Sequence, residues 1–150
     1  MELIGKILPE AHIALDMAVS SKKRLFEQVG EMLETHAGLA RAEVFECLFA
    51  REKLGTTGLG HGVAIPHGRT TGEGQVVAAF VRTQEPIDFD APDNQPVSLV
   101  FVLLVPENAM GEHLEILSHL AERFSEKSVR DALMNCNDVQ TVRQLLMNQN

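Results

Sequence analysis

The run Val97-Ser-Leu-Val-Phe-Val-Leu-Leu-Val105 is the most hydrophobic stretch of the chain, and Pro106 ends it. A continuous apolar run of this length, rich in β-branched residues, is typical of a strand that is covered on both faces of a sheet. It falls well short of the ~20 residues that a membrane-spanning helix needs. We therefore predict a buried central strand over this run.

Further strand patterns precede this run. Residues His12 to Asp16 alternate between polar and apolar after the break at Pro9, and residues Gln75 to Arg82 are apolar enough to be covered on both faces. In the proline-rich stretch that follows, Ile87 and Phe89 alternate with aspartates, a pattern typical of an edge strand. Three strands should therefore accompany the central one.

Helical periodicity predicts most of the remaining structure. A helix capped by Ser20 or Ser21 should end near His36–Gly38, a second should begin near Arg41, and the chain beyond Pro106 should be helical. The predicted inward-facing residues are Leu25, Val29, Met32, Leu33, Val44, Cys47, Leu48, Leu54, Leu114, Leu117, Ala121, Phe124, Val129, Ala132, Leu133, Val139, Val142, Leu145 and Leu146. The residues of the second helix that are predicted to face mostly outward are Glu43, Glu46, Arg51, Glu52 and Lys53.

This order of elements predicts the fold class. Strands in the first two-thirds of the chain, mixed with flanking helices, favour an α/β (α+β) fold in which a mixed β-sheet is flanked by helices on both faces. The chain has no internal repeat, low-complexity tract or linker, and its length suits one hydrophobic core. Residues 1–150 are therefore predicted to form a single domain.

Composition excludes several classes of function. The formal net charge of -8 opposes binding to nucleic acid, and the basic cluster Lys22-Lys23-Arg24 is predicted to be a solvated helix face. Cys47 and Cys136 lie far apart and indicate neither a disulfide framework nor a metal site, which fits a reducing cytoplasm. We expect no export segment, because the N-terminus lacks a basic start followed by an apolar run.

The segment Leu54-Gly-Thr-Thr-Gly-Leu-Gly-His-Gly-Val-Ala-Ile-Pro-His-Gly-Arg69 holds five of the 11 glycines of the chain. Glycine at this density permits positive φ and close approach to a ligand, so backbone amides can converge on an anion. Three common motifs do not fit the segment. Its glycines follow a helix, unlike a dinucleotide fingerprint; its spacing and Arg69 differ from a P-loop; and it has no serine for a nucleophile elbow.

His67 is the candidate nucleophile within this segment. Pro66 restricts the backbone before it and Gly68 frees the backbone after it, so a constrained loop should present the imidazole. A neutral imidazole is a good nucleophile toward phosphorus when its other nitrogen donates to a carbonyl, which fixes the tautomer. The alternative is an ordinary histidine in a tight connection, and composition alone leaves the two equally weighted.

The longer sequence around His67 favours a nucleophile over an ordinary loop histidine. Arg51-Glu-Lys-Leu-Gly-Thr-Thr-Gly-Leu-Gly-His-Gly-Val-Ala-Ile-Pro-His-Gly68 resembles the active-site signature of the IIA proteins of the bacterial phosphoenolpyruvate-dependent phosphotransferase system, in the fructose/mannitol (type 2) class. Pro86-Ile-Asp-Phe-Asp-Ala-Pro-Asp-Asn-Gln-Pro-Val-Ser-Leu-Val-Phe-Val-Leu-Leu-Val-Pro106 is similar to the nitrogen-regulatory branch, for which we expect no fused transporter domain. The resemblance covers most of the sequence.

Carried over by position, the resemblance implies that His67 is phosphorylated by a histidine phosphocarrier of the HPr type, with His113 and Arg51 as phosphate contacts. His113 should also lie in the first turn of a helix, where free amides and the helix dipole favour an anion. The alternative for His113 is a half-buried histidine that caps a core stripe, and the alternative for Arg51 is a solvated charge on a helix. The residues expected to contribute further phosphate contacts are Thr56, Thr57, Gly68 and Arg69.

The remaining histidines receive no catalytic role. His61 stands where relatives often carry a small polar residue, and it is a weaker candidate acceptor than His67. His113 and His119 point to different sides of a helix, which opposes a zinc pair, and no role is assigned to His12. Two apolar residues near His67 that we expect to be exposed, Leu59 and Ile65, are candidates for donor recognition.

The predicted function is that of a cytoplasmic phosphoryl carrier whose phosphorylation state regulates partner proteins. Two alternatives stay open: a sugar-transport IIA component that passes phosphate to a separate membrane permease, and a binding module that no longer transfers phosphate. The predicted partners are an HPr-type phosphocarrier and regulatory target proteins, with no nucleic acid and no stable membrane association. No cofactor and no metal ion are expected.

Overall fold

The fold was obtained as a computed structural model that describes residues 1–109 and 111–148. Residues 110, 149 and 150 of the predicted domain lie outside the described part. The helices are α1 Glu2–Ile7, α2 Lys22–Ala37, α3 Arg41–Leu54, α4 Glu112–Ser125, α5 Lys127–Asn135 and α6 Val139–Met147. The strands are β1 Ile13–Met17, β2 Gly58–Gly60, β3 Val63–Ala64, β4 His67–Thr70, β5 Val77–Ile87 and β6 Val97–Pro106.

The strands form one mixed sheet organised around β6. Its order is β1-β5-β6-β3-β2, and β4 also pairs with β6. β5 runs antiparallel to β6, whereas β3 and β4 run parallel to it along the same side. All ten residues of β6 are buried, which confirms the prediction of a central strand.

Helices cover both faces of the sheet, as predicted. On one face, Leu99, Phe101 and Leu103 of β6 pack in a core with α1, α4, α5 and α6. On the other face, Val100 and Val102 pack in a second core with α2 and α3. Alternate residues of one strand therefore enter two separate cores, which explains why β6 is apolar throughout rather than alternating.

The second helix of the structure follows the sequence prediction closely. Ser21 caps α2 by accepting a hydrogen bond from the backbone N–H of Arg24 at 3.2 Å, and Gly38 ends the helix with φ of 70°. Glycine adopts this left-handed conformation at little cost, and it is therefore favoured at the C-terminus of a helix. The helix therefore has both of the end signals that the sequence indicated.

Several predictions about individual residues and helices were wrong. Leu54 is 85% exposed rather than inward-facing, and Glu52 is buried rather than outward-facing. Leu114 is 63% exposed because the buried apolar residues of α4 are Ile116, Leu120 and Phe124, of which only Phe124 belongs to the predicted stripe. α1 was not predicted at all, since six residues are too few to establish a period.

The proline-rich stretch is not an edge strand. β5 continues through Pro86 to Ile87, which pairs with Val97 of β6 after a register shift. Phe89 lies beyond the strand, where its ring meets that of Phe26 edge-on at 6.4 Å between centroids. Both Ile87 and Phe89 are buried, so their alternation with aspartates indicates a core contact at the end of β5.

The buried His12 predicts a dependence of stability on pH. Its Nδ1 lies 2.9 Å from the carbonyl oxygen of Ala78, and burial lowers the pKa of His12, with nearby His36 adding to the effect. The unfolded chain, with a histidine pKa of about 6.5, therefore binds more protons than the folded chain just below that pH. The free energy of unfolding should fall as the pH drops below about 6.5, by at most about 1.4 kcal/mol per pH unit from this residue.

Urea unfolding between pH 7.5 and 5.5 tests this expectation. His12→Asn keeps a donor for Ala78 but cannot be protonated, so its unfolding midpoint should depend less on pH than that of the wild type. His61→Asn is the matched control, because His61 is exposed and its φ of 56° suits asparagine. Equal pH slopes for His12→Asn and the wild type would rule out His12 as the source.

Candidate active site

His67 opens strand β4 rather than standing in a free loop. It pairs in parallel register with Leu103 of β6, and the carbonyl of the preceding Pro66 accepts a hydrogen bond from the N–H of Leu103 at 2.9 Å. The glycine segment predicted as a loop thus contains three short strands, β2 to β4. The backbone at His67 is fixed by the central strand of the sheet, while its side chain is half-buried.

The imidazole of His67 makes one hydrogen bond that decides its tautomer. Its Nδ1 lies 2.9 Å from the carbonyl oxygen of Ile65, two residues earlier. A carbonyl oxygen can only accept, so in the neutral ring the proton is assigned to Nδ1 and the lone pair to Nε2. This is the arrangement that a nucleophilic Nε2 requires.

A cavity of about 470 Å³ joins the principal candidate residues. Its lining includes Arg51 at the end of α3, His67, Gly68 and Arg69 of β4, and His113 at the start of α4. A second cavity of about 260 Å³ also touches Arg51 and His67. His67 and Arg51 therefore line both cavities. The larger cavity is also lined by Arg69 and His113, so it places two arginines and a second histidine around the candidate nucleophile.

His113 lines this cavity and has an unusual environment. Its Nδ1 is buried and has no hydrogen-bond partner among the described residues. A proton on this nitrogen would lose its solvation without compensation. The proton of a neutral His113 ring is therefore better placed on Nε2, which makes that nitrogen a donor.

The two arginines keep most of their donors available. Arg51 donates from one terminal nitrogen to the carbonyl of Gly55 at 2.9 Å. Arg69 is exposed, and its side chain has no hydrogen bond or ion pair in the described part of the chain. Guanidinium groups match the oxygens of a phosphate, so both side chains suit an anion in the cavity.

The two threonines are engaged elsewhere. The hydroxyl of Thr56 donates to the carbonyl of Phe89 and accepts from the N–H of Gly58. The hydroxyl of Thr57 donates to Glu52 at 2.6 Å. Both residues line the second cavity, but their hydroxyl protons already have acceptors within the protein, so the geometry offers no support for them as phosphate donors.

Gly68 has a role different from the predicted backbone freedom, because its φ is not positive. A Cβ at this position would lie 2.8 Å from the carbonyl oxygen of Cys47 in α3. Glycine therefore lets α3 approach β4 closely and brings Arg51 toward His67. Burial raises the pKa of the Cys47 thiol to about 11, an effect to which Glu43 adds, so Cys47 is protonated at neutral pH and is a poor nucleophile.

Two other histidines lie away from both cavities. His61 is exposed in the turn between β2 and β3, and its N–H donates to Asp93 at 2.8 Å. His119 contacts the carbonyl of Leu146 through Nε2 at 2.9 Å.

Leu59 is 47% exposed, whereas Ile65 is only 4% exposed, so the expectation that Ile65 is available to a partner was wrong.

Sequence reasoning missed the contribution of Glu52 and Lys22 to this region. The carboxylate of Glu52 accepts from Lys22 and from Thr57, directly behind the glycine segment. Its position was indicated by the helical period, since Glu52 follows the buried Val44 and Leu48 at four-residue intervals. The charge of the side chain suggested a solvated face, although the spacing indicated a buried one.

The described residues lack two features, a metal-binding cluster and a membrane-spanning helix. They contain no group of three or more histidine, cysteine, aspartate or glutamate side chains placed to hold a metal ion. Within the same ranges, no helix has the length and hydropathy needed to cross a membrane.

Comparison with known proteins places this geometry in a family. Residues 6–149 match the model described as phosphoenolpyruvate-dependent sugar phosphotransferase system, EIIA 2. The chain is 40% identical over 145 residues to a nitrogen regulatory protein of Pseudomonas aeruginosa, covering 96% of this chain and 94% of the relative.

Solved structures agree with this assignment. The crystal structure of nitrogen regulatory protein IIA-Ntr from Neisseria meningitidis is 63% identical, with a TM-score of 0.92 and coverage of 97% of this chain and 99% of that one. The crystal structure of IIA mannitol from Escherichia coli is 25% identical, with a TM-score of 0.74 and coverage of 92% and 97%. The chain belongs to the EIIA type 2 family of the phosphoenolpyruvate-dependent sugar phosphotransferase system, in its nitrogen-regulatory branch.

Proposed function

We propose that the protein is a regulatory phosphoryl carrier that accepts phosphate on Nε2 of His67 from an HPr-type histidine phosphocarrier. The observation that carries the proposal is the hydrogen bond from Nδ1 of His67 to the carbonyl of Ile65. It leaves the lone pair of Nε2 free on a ring that lines a cavity with Arg51 and His113.

The transfer step needs no prior loss of a proton. The lone pair of Nε2 attacks the phosphorus atom of the donor's phosphohistidine, and the new N–P bond forms as the donor's N–P bond breaks. The electron pair of the broken bond returns to the donor's ring, which carries a proton on its other nitrogen and so leaves as a neutral imidazole. The ring of His67 gains positive charge in this step while it keeps the proton on Nδ1. The carbonyl of Ile65 stabilises that charge through the same hydrogen bond.

The charge that develops on the phosphoryl oxygens needs donors that are already in place. Arg51, Arg69 and Nε2 of His113 are the proposed donors, since all three side chains line the cavity that contains His67. Thr56 and Thr57 are left out of this set, because their hydroxyls donate to protein oxygens. Gly68 contributes by permitting the close approach of α3.

The surface around His67 suits a protein partner. Of the four large apolar side chains that are exposed in the described part of the chain, Leu54 and Leu59 line the two cavities and Leu114 follows His113. An apolar surface around a polar centre is typical of sites that bind other proteins. Phosphorylation would add about two negative charges to its centre, and we propose that this change alters which target proteins bind.

A role in sugar transport is the second candidate, supported by the likeness to IIA mannitol from Escherichia coli. In that case, phosphate on His67 would pass to a separate membrane permease. The higher identity to proteins named nitrogen regulatory favours the regulatory role.

Intact-mass measurement tests the proposal. Incubation of the wild-type protein with phosphoenolpyruvate, the first enzyme of the system and an HPr-type carrier should add about 80 Da. The gain should be labile to acid, as expected for a phosphoramidate, and should require the carrier. No gain in mass under conditions that phosphorylate the carrier itself would favour an inert binding module.

A further inference from the structure

A chain of hydrogen bonds connects the imidazole of His67 to a buried ion pair. The ring donates to the carbonyl of Ile65 at 2.9 Å, and the N–H of Ile65 donates to the carbonyl of Thr57 at 3.1 Å. Thr57 in turn donates to Glu52 twice, from its N–H at 3.1 Å and from its hydroxyl at 2.6 Å. Lys22 completes the chain by donating to Glu52 at 2.9 Å.

The ion pair between Glu52 and Lys22, at one end of this series of hydrogen bonds, is held firmly. The side chain of Glu52 is only 5% exposed and that of Lys22 is 18% exposed. Lys22 also lies over the ring of Phe89, with its Nζ 5.1 Å from the centroid. A buried carboxylate that accepts three hydrogen bonds, one of them from a cation, has little freedom to move, and any group bonded to it is held in place.

At the His67 end of this series of hydrogen bonds, the backbone around Ile65 requires such support. β3 is only two residues long and β2 only three, so few hydrogen bonds within this pair fix Thr57 relative to Ile65. The bond between Ile65 and Thr57 ties the end of β3 to the residue that precedes β2. A shift of Thr57 would therefore move the carbonyl that accepts the proton of His67.

We propose that Glu52, held by Lys22, is a positioning residue for His67: it fixes Thr57, and through Thr57 and Ile65 it keeps the proton of the imidazole on Nδ1. Glu52 does not touch the phosphate in this proposal. Its expected effect on the transfer rate rests on the proposed function, whereas its effect on the tautomer does not.

The test compares Glu52→Ala with the wild type in two measurements. The tautomer of His67 is observed by two-bond ¹⁵N–¹H correlation spectroscopy, and the rate of phosphate transfer is followed by intact mass. Glu52→Ala should give a mixture of tautomers and a rate lower by about tenfold or more, because small displacements of positioned groups are costly in catalysis. Glu46→Ala is the matched control, since Glu46 is an exposed residue of the same helix, and it should behave as the wild type.

Glu52→Gln provides the second variant if Glu52→Ala does not fold. Glutamine can still accept from the N–H of Thr57 and share a hydrogen bond with its hydroxyl, but it loses the charge that holds Lys22. A smaller change in the same direction is expected in both measurements. A folded Glu52 variant with the tautomer of the wild type would overturn the proposal.

The two proposals can fail separately. If the wild type takes up no phosphate while Glu52→Ala still changes the tautomer, the proposed function fails and the positioning role stands. If the wild type is phosphorylated and both Glu52 variants match its rate and tautomer, the positioning role fails alone.

Discussion

Replacement of His67 by asparagine is expected to abolish phosphate uptake, with a loss in rate of at least about 10³-fold. Asparagine can keep the hydrogen bond to the carbonyl of Ile65, because its amide nitrogen occupies a place similar to that of Nδ1. It has no counterpart of the Nε2 lone pair, so no N–P bond can form. Because the contact with Ile65 is kept, the loss would reflect chemistry rather than a change in the surrounding structure.

His61→Asn is the matched control for this experiment. His61 lies six positions before His67 in the same segment, but it is exposed and lines neither cavity. His61→Asn should therefore gain about 80 Da as the wild type does. The assignment of His67 would be wrong if His67→Asn still gained this mass and peptide mapping placed the phosphate on another histidine.

The sequence was sufficient to predict the parts of the fold in which one physical signal dominates. β6 is apolar at almost every position because both of its faces enter a core, and no other helix or strand among the described residues gives so long an apolar run. α2 begins at a serine cap and ends at a glycine with positive φ, and both residues are visible in the sequence. The grouping of Arg51, His67 and His113 followed from family resemblance, since they are far apart in the chain and no local pattern links them.

Other features depend on tertiary contacts that the sequence does not reveal. Strands β2 to β4 lie in a glycine-rich segment whose intrinsic propensity opposes strand formation. β3 and β4 form because β6 offers hydrogen-bonding groups along one side, and β2 in turn pairs with β3. Ile65 looked accessible beside so many glycines, yet the hydrogen bonds of β3 and β4 to β6 carry it into the core. The charge of Glu52 predicted a surface position although its spacing from Val44 and Leu48 indicated a buried one, because nothing in the sequence shows that Lys22 lies opposite.

Gly68 is the position where a small substitution should disturb both fold and site. A Cβ there would lie 2.8 Å from the carbonyl oxygen and 2.9 Å from the carbonyl carbon of Cys47. Both atoms belong to the backbone of α3, so no side-chain rotation can relieve the contact. The strand and the helix must separate, and Arg51 must move with α3 away from His67.

Gly68→Ala is therefore expected to lower the free energy of unfolding by about 1–3 kcal/mol, which is typical of overpacking. The same variant should transfer phosphate at least about tenfold more slowly, because small displacements of positioned groups are costly in catalysis. Gly74→Ala is the control, since a Cβ at Gly74 meets nothing within 4 Å and φ there is not positive, so its stability and rate should be close to those of the wild type. If Gly68→Ala had the urea midpoint and transfer rate of Gly74→Ala, the close packing of α3 on β4 would not be what positions Arg51 beside His67.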